Sequence, residues 1–361
     1  MGLDCGHTHF RHEAEARAAL VGAPGLTARR ERSGLAGVRW RPLTVCNPFQ
    51  LYCNGVQWLT FKFNLKFSCD SGLQPQCRER RSVAIYVTSD AHGHVRALDE
   101  ALSKISLASD DTLYVLGDMI DRGPDPVGVI KLVRSLPNAR VLKGNHEQIM
   151  LDAIIGQDPL DAETWDINGG WTTRQQLNDM EFEAYEELVR WMATLPLYAV
   201  VETDERPYLL VHAGIQIEAA RAFLLEHGVD CADGAGAVDA DRELLQQMLA
   251  VQSSDDLLWI RHGYWDAPTG LLSAEGKGPV MVSGHTPTVS LGRYCEVGGL
   301  AGLDEESGRG QIVRLGGEDT AGVPDRIDID CAAATGSEFG RVGILRLDDG
   351  AEFYANINPG E

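Results

Sequence analysis

Five short apolar runs, each ended by a glycine-containing turn that carries Asp, Asn or His, constrain this chain more than any other feature. The run at 83–88 ends in Ser89-Asp90-Ala91-His92-Gly93, and the run at 112–116 ends in Gly117-Asp118-Met119-Ile120-Asp121-Arg122-Gly123. The run at 140–142 leads into Lys143-Gly144-Asn145-His146-Glu147, that at 208–211 into His212-Ala213-Gly214, and that at 280–282 into Ser283-Gly284-His285-Thr286. Short apolar runs bounded by turn residues read as buried strands. After the first, Val95, Leu98, Leu102 and Ile105 recur at helical spacing. After the second, Asp125 stands as an N-cap before Pro126, and Val127, Ile130 and Val133 form the buried stripe of a helix. The pattern predicts an α/β chain. In open α/β sheets ligands bind beyond the carboxyl ends of the strands, so the five turns would bring their polar groups to one rim. The delivered set is Asp90, His92, Asp118, Asn145, His212 and His285, with Asp121, Arg122 and His146 beside them.

Carboxylate, imidazole and amide oxygen without thiolate suit manganese, iron or zinc better than a soft metal. Three His, two Asp and one Asn are too many for a single catalytic ion with open positions, but fit two ions that share a bridging carboxylate. Two ions about 3.5–4 Å apart clamp the attacking and leaving oxygens of an in-line phosphoryl displacement. A hydroxide held between them would be the nucleophile. Arg122 offers a planar fork matched to phosphate oxygens. Taken singly, each turn says little: Asp-x-His is ordinarily a helix cap or surface turn, Gly-Asn-His-Glu a tight turn, a lone histidine a hydrogen-bonded core residue. Five in order, each after a strand, carry the reading.

Charge divides the 361 residues in two. Residues 1–82 hold 12 Lys and Arg against 6 Asp and Glu, while the remainder holds 20 against 47, for a net −21 over the whole chain. Five of the eight cysteines also lie in that first part, with no Cys-x₂-Cys pair. The segment 1–82 therefore reads as a poorly ordered N-terminal extension, in which His7, His9 and His12 belong to a solvated tail and the apolar stretch 56–67 alternates weakly. Residues 83–361 form the catalytic domain. No run of 18 apolar residues suggests a transmembrane helix, no secretory signal is evident, and the acidic balance argues against binding nucleic acid or an anionic membrane. The three remaining cysteines form no framework, which places the protein in a reducing cytoplasm.

Asp90-x-His92, Gly117-Asp118-x-x-Asp121-Arg122-Gly123, Gly144-Asn145-His146-Glu147, His212-Ala213-Gly214 and Gly284-His285-Thr286 together resemble the motif series of calcineurin-like metallophosphoesterases, over about residues 83–356. More narrowly, they resemble phosphoprotein phosphatases of the bacterial and phage type. The resemblance implies a four-layer α/β/β/α metallophosphatase sandwich with a helical insertion, and two divalent ions, manganese first and iron or zinc next. It makes Asp90 and His92 ligands of the first ion, Asp118 the bridge, and Asn145, His212 and His285 ligands of the second. His146, oriented by Asp121, would be the general acid for the leaving alkoxide, a poor leaving group without a proton donor. Arg122, Arg261 and Asn145 would bind the substrate phosphate, Arg261 through Leu258-Trp259-Ile260-Arg261, which looks like the bacterial Trp-x-Arg segment. Trp165-x-x-Asn168-Gly169-Gly170-x-x-Thr173 also looks like the bacterial form, in a helical insertion near the mouth.

Departures are Lys143, where many relatives carry Arg; Ile329-Asp330-Cys331-Ala332, a partial match to Ile-Asp-Thr-Gly; and a Gly-rich stretch, 298–322, expected as a surface loop. None removes a ligand. The expected activity is hydrolysis of phosphoserine and phosphothreonine in a phosphoprotein or phosphopeptide. The alternative is a symmetrical diadenosine tetraphosphatase. That group tends to carry Ala in place of Asp121 and Asp in place of Glu147, so both positions point to the protein phosphatases. A metal-stabilised interaction scaffold is the non-enzyme alternative, disfavoured because the whole ligand set is present.

Overall fold

In the computed structural model, residues 83–156, 158–296 and 302–361 are described. The extension expected at 1–82, with its histidines and its 56–67 stretch, lies outside the described residues. In chain order the elements are β1 (Ile85–Thr88), α1 (Val95–Lys104), β2 (Thr112–Val115), α2 (Pro126–Ser135), β3 (Ala139–Val141), α3 (Asn145–Ile155), α4 (Pro159–Ile167), α5 (Trp171–Asn178), α6 (Phe182–Ala193) and β4 (Tyr198–Glu202). There follow β5 (Pro207–Val211), α7 (Ile217–Glu226), α8 (Arg242–Ala250), α9 (Ser254–Trp259), β6 (Val280–Ser283), β7 (Val313–Leu315), β8 (Arg326–Asp328), β9 (Arg341–Arg346) and β10 (Glu352–Asn356).

The strands make two five-stranded sheets, ordered β10-β9-β1-β2-β3 and β4-β5-β6-β8-β7. In the first, β1, β2 and β3 run parallel; in the second, β5, β6 and β8 do. Side chains alternate across a strand, and here that alternation sorts apolar residues into three cores. Val87, Leu210, Val280, Val282 and Leu345 meet between the sheets. Tyr86, Val342 and Ile344 face the other way, onto α1, α2, α3 and α6. Leu209, Val211 and Met281 face α7, α8 and α9. The order is helices, sheet, sheet, helices, the four-layer sandwich expected from the motifs. Both faces of the central strands are covered, which is why they read as continuous apolar runs rather than alternating ones.

The five runs named from the sequence are the parallel strands β1, β2, β3, β5 and β6. Backbone hydrogen bonds stitch their turns together. The amides of Asp90, His92 and Gly93 donate to the carbonyls of Gly117, Asp118 and Met119 at 3.1, 2.9 and 2.9 Å, and that of Gly284 donates to His212 at 2.8 Å. The carboxylate of Asp125 caps α2, accepting from the Gly128 amide at 2.9 Å, with Pro126 opening the helix as expected. One expectation needs correction. The stretch 298–322 is not loop throughout, because Val313–Leu315 pairs antiparallel with β8 and completes the edge of the second sheet. Three residues between glycines are too short a run to show an alternation in sequence.

Candidate metal centre

Six of the nine non-glycine residues with positive φ among the described residues are site residues: Asp90, His92, Asp118, Asp121, Arg122 and His285, at φ 52, 42, 53, 67, 67 and 66°. Left-handed backbone at such residues costs on the order of 1–3 kcal/mol each and persists where the surroundings impose it. The gain is direction, since each turn folds back and points its side chain across the rim. Two glycines make room for them. A Cβ on Gly144 would strike Asp118 Oδ1, and one on Gly284 would strike Asp90 Oδ2.

The donors converge as follows. Asp118, buried, sends its two oxygens to opposite sides: Oδ2 lies 3.6 Å from His92 Nε2, and Oδ1 lies 3.5 Å from His212 Nε2. That splayed arrangement is what a bridging carboxylate needs. Asn145 Oδ1 lies between two imidazoles, 2.8 Å from His212 Nε2 and 2.9 Å from His285 Nδ1. His92 Nδ1 and His212 Nδ1 donate to the carbonyls of Ile120 and Leu116 at 2.9 and 2.7 Å, which turns each Nε2 toward the centre. Asp90 accepts from Ser89 Oγ and, at 3.0 Å, from the His285 amide, both through Oδ2. Asp118 is shared by two clusters whose donor atoms lie within 4.8 Å of one another, one with His92 and His146, the other with His212 and His285.

These residues fit divalent ions. Asp90 Oδ1 is a buried atom without a hydrogen-bond partner. Buried polar atoms are nearly always paired, and a carboxylate oxygen is a donor that such ions take. Burial pushes the imidazoles of His92, His212 and His285 below their ordinary range, so they present lone pairs rather than charge. Burial, with Asp90 beside it, pushes the Asp118 carboxyl well up, a cost that a cation removes.

His146 is the odd member of its cluster. Its Nδ1 donates to Asp121 Oδ2 at 2.7 Å, and its Nε2 meets Arg122 Nη2 at 3.0 Å. Both of its nitrogens are thereby engaged by the turn after β2. Burial lowers its pKa, against the raising effect of the Asp121 hydrogen bond. Arg122 is exposed at the mouth, whereas Arg261 is half-buried and donates from Nη2 to the His285 carbonyl at 3.3 Å. Every site residue named from the sequence thus lies at one rim, Arg261 by way of the His285 turn.

Glu147 has a role that the motif alone did not show. It is fully buried and accepts from the amides of Asp118, Met119 and Gly144, each at 2.8 Å. One carboxylate thereby ties the turn after β2 to the turn after β3, and fixes Asp118 beside Asn145. The signal lay in its position three residues after Gly144, at the start of α3, where an acidic side chain folds back onto the helix N-terminus.

The sequence profile of the calcineurin-like phosphoesterases matches residues 83–313. The chain is 28% identical over 222 residues to the symmetrical bis(5′-nucleosyl)-tetraphosphatase of Proteus mirabilis, covering 59% of this chain and 68% of that protein. It is 31% identical over 136 residues to the corresponding protein of Erwinia tasmaniensis, covering 37% of this chain and 45% of the relative. It is 33% identical over 131 residues to serine/threonine-protein phosphatase 2 of Escherichia coli, covering 36% of this chain and 57% of the relative. The chain therefore spans less than two thirds of the length of the latter two. A protein serine/threonine phosphatase structure from Saccharomyces cerevisiae aligns with TM-score 0.42 and 15% identity, over 79% of this chain and 82% of its own.

Proposed function

The chain belongs to the calcineurin-like phosphoesterases, metal-dependent hydrolases of phosphoesters, and from that premise we propose that it is a serine/threonine protein phosphatase. The observation that supports this reading is the buried pair of His146 and Asp121, with Nδ1 and Oδ2 2.7 Å apart. Hydrolysing a serine phosphate expels an alkoxide, which needs a proton at the moment the bond breaks. Cleaving a phosphoanhydride expels a phosphate, which does not. A histidine braced by a carboxylate is therefore matched to the monoester.

Asp90, His92 and Asp118 would hold one divalent ion, and Asp118, Asn145, His212 and His285 a second, manganese by preference. Bound there, such ions supply Lewis acidity toward the phosphoryl oxygens and make water a stronger nucleophile. The chain's own residues do the rest. Arg122 and Arg261 would grip the phosphate oxygens with charge-assisted hydrogen bonds. Asn145, with its Oδ1 turned to the two imidazoles, keeps its amide N–H₂ for the same phosphate. Arg122 Nη2, which donates to His146 Nε2 at 3.0 Å, would turn to the phosphate, leaving Nε2 to carry the proton that His146 gives to the leaving oxygen. The cysteines Cys231, Cys295 and Cys331 are free, which fits the cytoplasmic location we propose. No helix of the described residues is long and apolar enough to cross a membrane.

The second reading, a symmetrical dinucleoside tetraphosphatase, is favoured by the names of the Proteus and Erwinia relatives. The full chain loaded with Mn²⁺ separates the two. We expect a phosphoserine peptide to give a kcat/KM at least about tenfold above that of diadenosine tetraphosphate, a difference of roughly 1.4 kcal/mol in transition-state binding. The reverse preference makes it a tetraphosphatase. Bound ions with no turnover of either substrate, or of an aryl phosphate, leave the scaffold.

A further inference from the structure

We infer that the segment Trp165-x-x-Asn168-Gly169-Gly170-x-x-Thr173 is a cradle that positions the consecutive residues Asp121 and Arg122, and so sets the proton donor and the phosphate clamp from one helical insertion. The inference rests on the general-acid reading of His146. Both Asp121 and Arg122 have left-handed backbone, each with φ 67°. Two such residues in succession do not hold themselves, and the insertion supplies what holds them.

On Asp121, the Trp165 indole N–H reaches both carboxylate oxygens, at 3.1 and 3.2 Å. The Thr173 hydroxyl donates to Oδ1 at 2.5 Å and accepts the Asp121 amide at 2.9 Å. One hydroxyl thus pins backbone and side chain together. The Trp165 side is buried, and its ring carries the Arg174 guanidinium at 5.3 Å. With its other acceptor sites filled, the Asp121 carboxylate has one orientation, and that orientation aims His146. On Arg122, the Gly169 carbonyl accepts the backbone amide at 3.1 Å, and the Asn168 carbonyl accepts Nε at 3.4 Å. Gly169 itself has φ 95°, and a Cβ there would stand 2.8 Å from Arg122 Cγ. A Cβ on Gly170 would run into the Trp165 ring. Each specified position of the segment therefore touches Asp121, touches Arg122, or makes room for a residue that does.

In the step served by this cradle, the bond between phosphorus and the leaving oxygen breaks with its electron pair going to that oxygen. The oxygen takes a proton from His146 Nε2, which Arg122 vacates on turning to the phosphate, and His146 is left neutral and still bonded to Asp121. Trp165 and Thr173 are positioning residues: they act on the proton donor only through Asp121.

The two halves of the cradle predict different kinetic signatures in the full chain loaded with Mn²⁺, assayed on a phosphoserine peptide and on 4-nitrophenyl phosphate. Trp165→Phe and Thr173→Val should each lower kcat on the peptide by about 10–100-fold, the scale seen when a group that orients a functional histidine is lost. The loss on the aryl phosphate, whose leaving group needs less proton transfer, should be at least about tenfold smaller. Ion content should stay at the wild-type value. Thr173→Ser, which keeps the hydroxyl, should restore the peptide-to-aryl ratio. Gly169→Ala should instead raise KM for both substrates with that ratio unchanged, because it displaces Arg122. His146→Asn, run in parallel, separates this inference from the reading beneath it. If His146→Asn loses far more on the peptide while Trp165→Phe and Thr173→Val lose equally on both substrates, or Thr173→Ser is as impaired as Thr173→Val, the cradle is overturned. If His146→Asn itself loses equally on both, the general-acid reading falls instead.

Discussion

The first sheet brings Asp90, His92, Asp118 and Asn145 to the rim, with the Asp121–His146 pair and Arg122, whereas the second brings His212 and His285, with Arg261 leaning on the latter. The backbone differs as much as the inventory. Five of the six left-handed site residues sit in the turns of the first sheet, and one, His285, in those of the second. Moreover, the second sheet's proposed ligands take their orientation from the first. His212 Nδ1 donates to Leu116 at the end of β2, and the His285 amide donates to Asp90. The first sheet both supplies the carboxylates and aims the imidazoles opposite. Reshaping its turns should therefore disturb both ion sites, and reshaping those of the second sheet only one.

The most severe break is Asp118→Ala. Its two oxygens face His92 on one side and His212 on the other, so its loss should empty both ion sites and lower activity by at least about 10³-fold. Elemental analysis that found two ions in Asp118→Ala would refute the bridge and the division of labour with it. A one-sided change should do less. His212→Ala removes one of four proposed ligands to the second ion, and His92→Ala one of three to the first. We expect each variant to retain about one ion per chain, with His212→Ala, whose remaining ion has three proposed ligands, losing it at the lower chelator concentration. Loss of both ions in His212→Ala would show that the second sheet governs the first, contrary to the geometry.

The same asymmetry explains what could be read from sequence. Of the strands read from the sequence, β1, β5 and β6 are largely buried, while β2 alternates and β3 is an edge strand; all five announce themselves by the glycine-containing polar turn that ends them. The antiparallel strands β4, β7, β9 and β10 carry no such site-bearing turn. Among them β7 has three residues, and β10 has burial on few positions. The proposed ligands were legible because each lies just past a legible strand. The supports were not, because they depend on which turns become neighbours. Glu147 reaches the Asp118 amide across 29 residues, through the pairing of β2 with β3. Trp165 and Thr173 reach Asp121 across 44 and 52 residues, from helices outside both sheets. A motif shows that such residues are specified. Contact shows what they hold.

The two arginines give the finest test of the contrast. Arg122 belongs to the first sheet, is held by the insertion, and places Nη2 3.0 Å from His146 Nε2. As the proposed phosphate ligand it also stands beside the proposed proton donor, so it should strengthen its grip as charge moves onto the leaving group. Arg122→Ala should lower kcat by about 10²–10³-fold, the scale for losing one preorganised transition-state donor. Arg261 belongs to the other side. Its Nη2 is partly occupied by the His285 carbonyl at 3.3 Å, and its guanidinium lies 6.0 Å from the Tyr294 ring centre. Tethered there, it should contribute equally to bound substrate and transition state. Such uniform binding appears in KM, not in kcat. We therefore expect Arg261→Ala to raise KM for a phosphoserine peptide by about 3–10-fold, with kcat within about twofold of wild type, since one charge-assisted hydrogen bond in a wet site is worth about 1 kcal/mol. A fall in kcat as deep as that of Arg122→Ala would place Arg261 on the transition state and erase the distinction between the two rims.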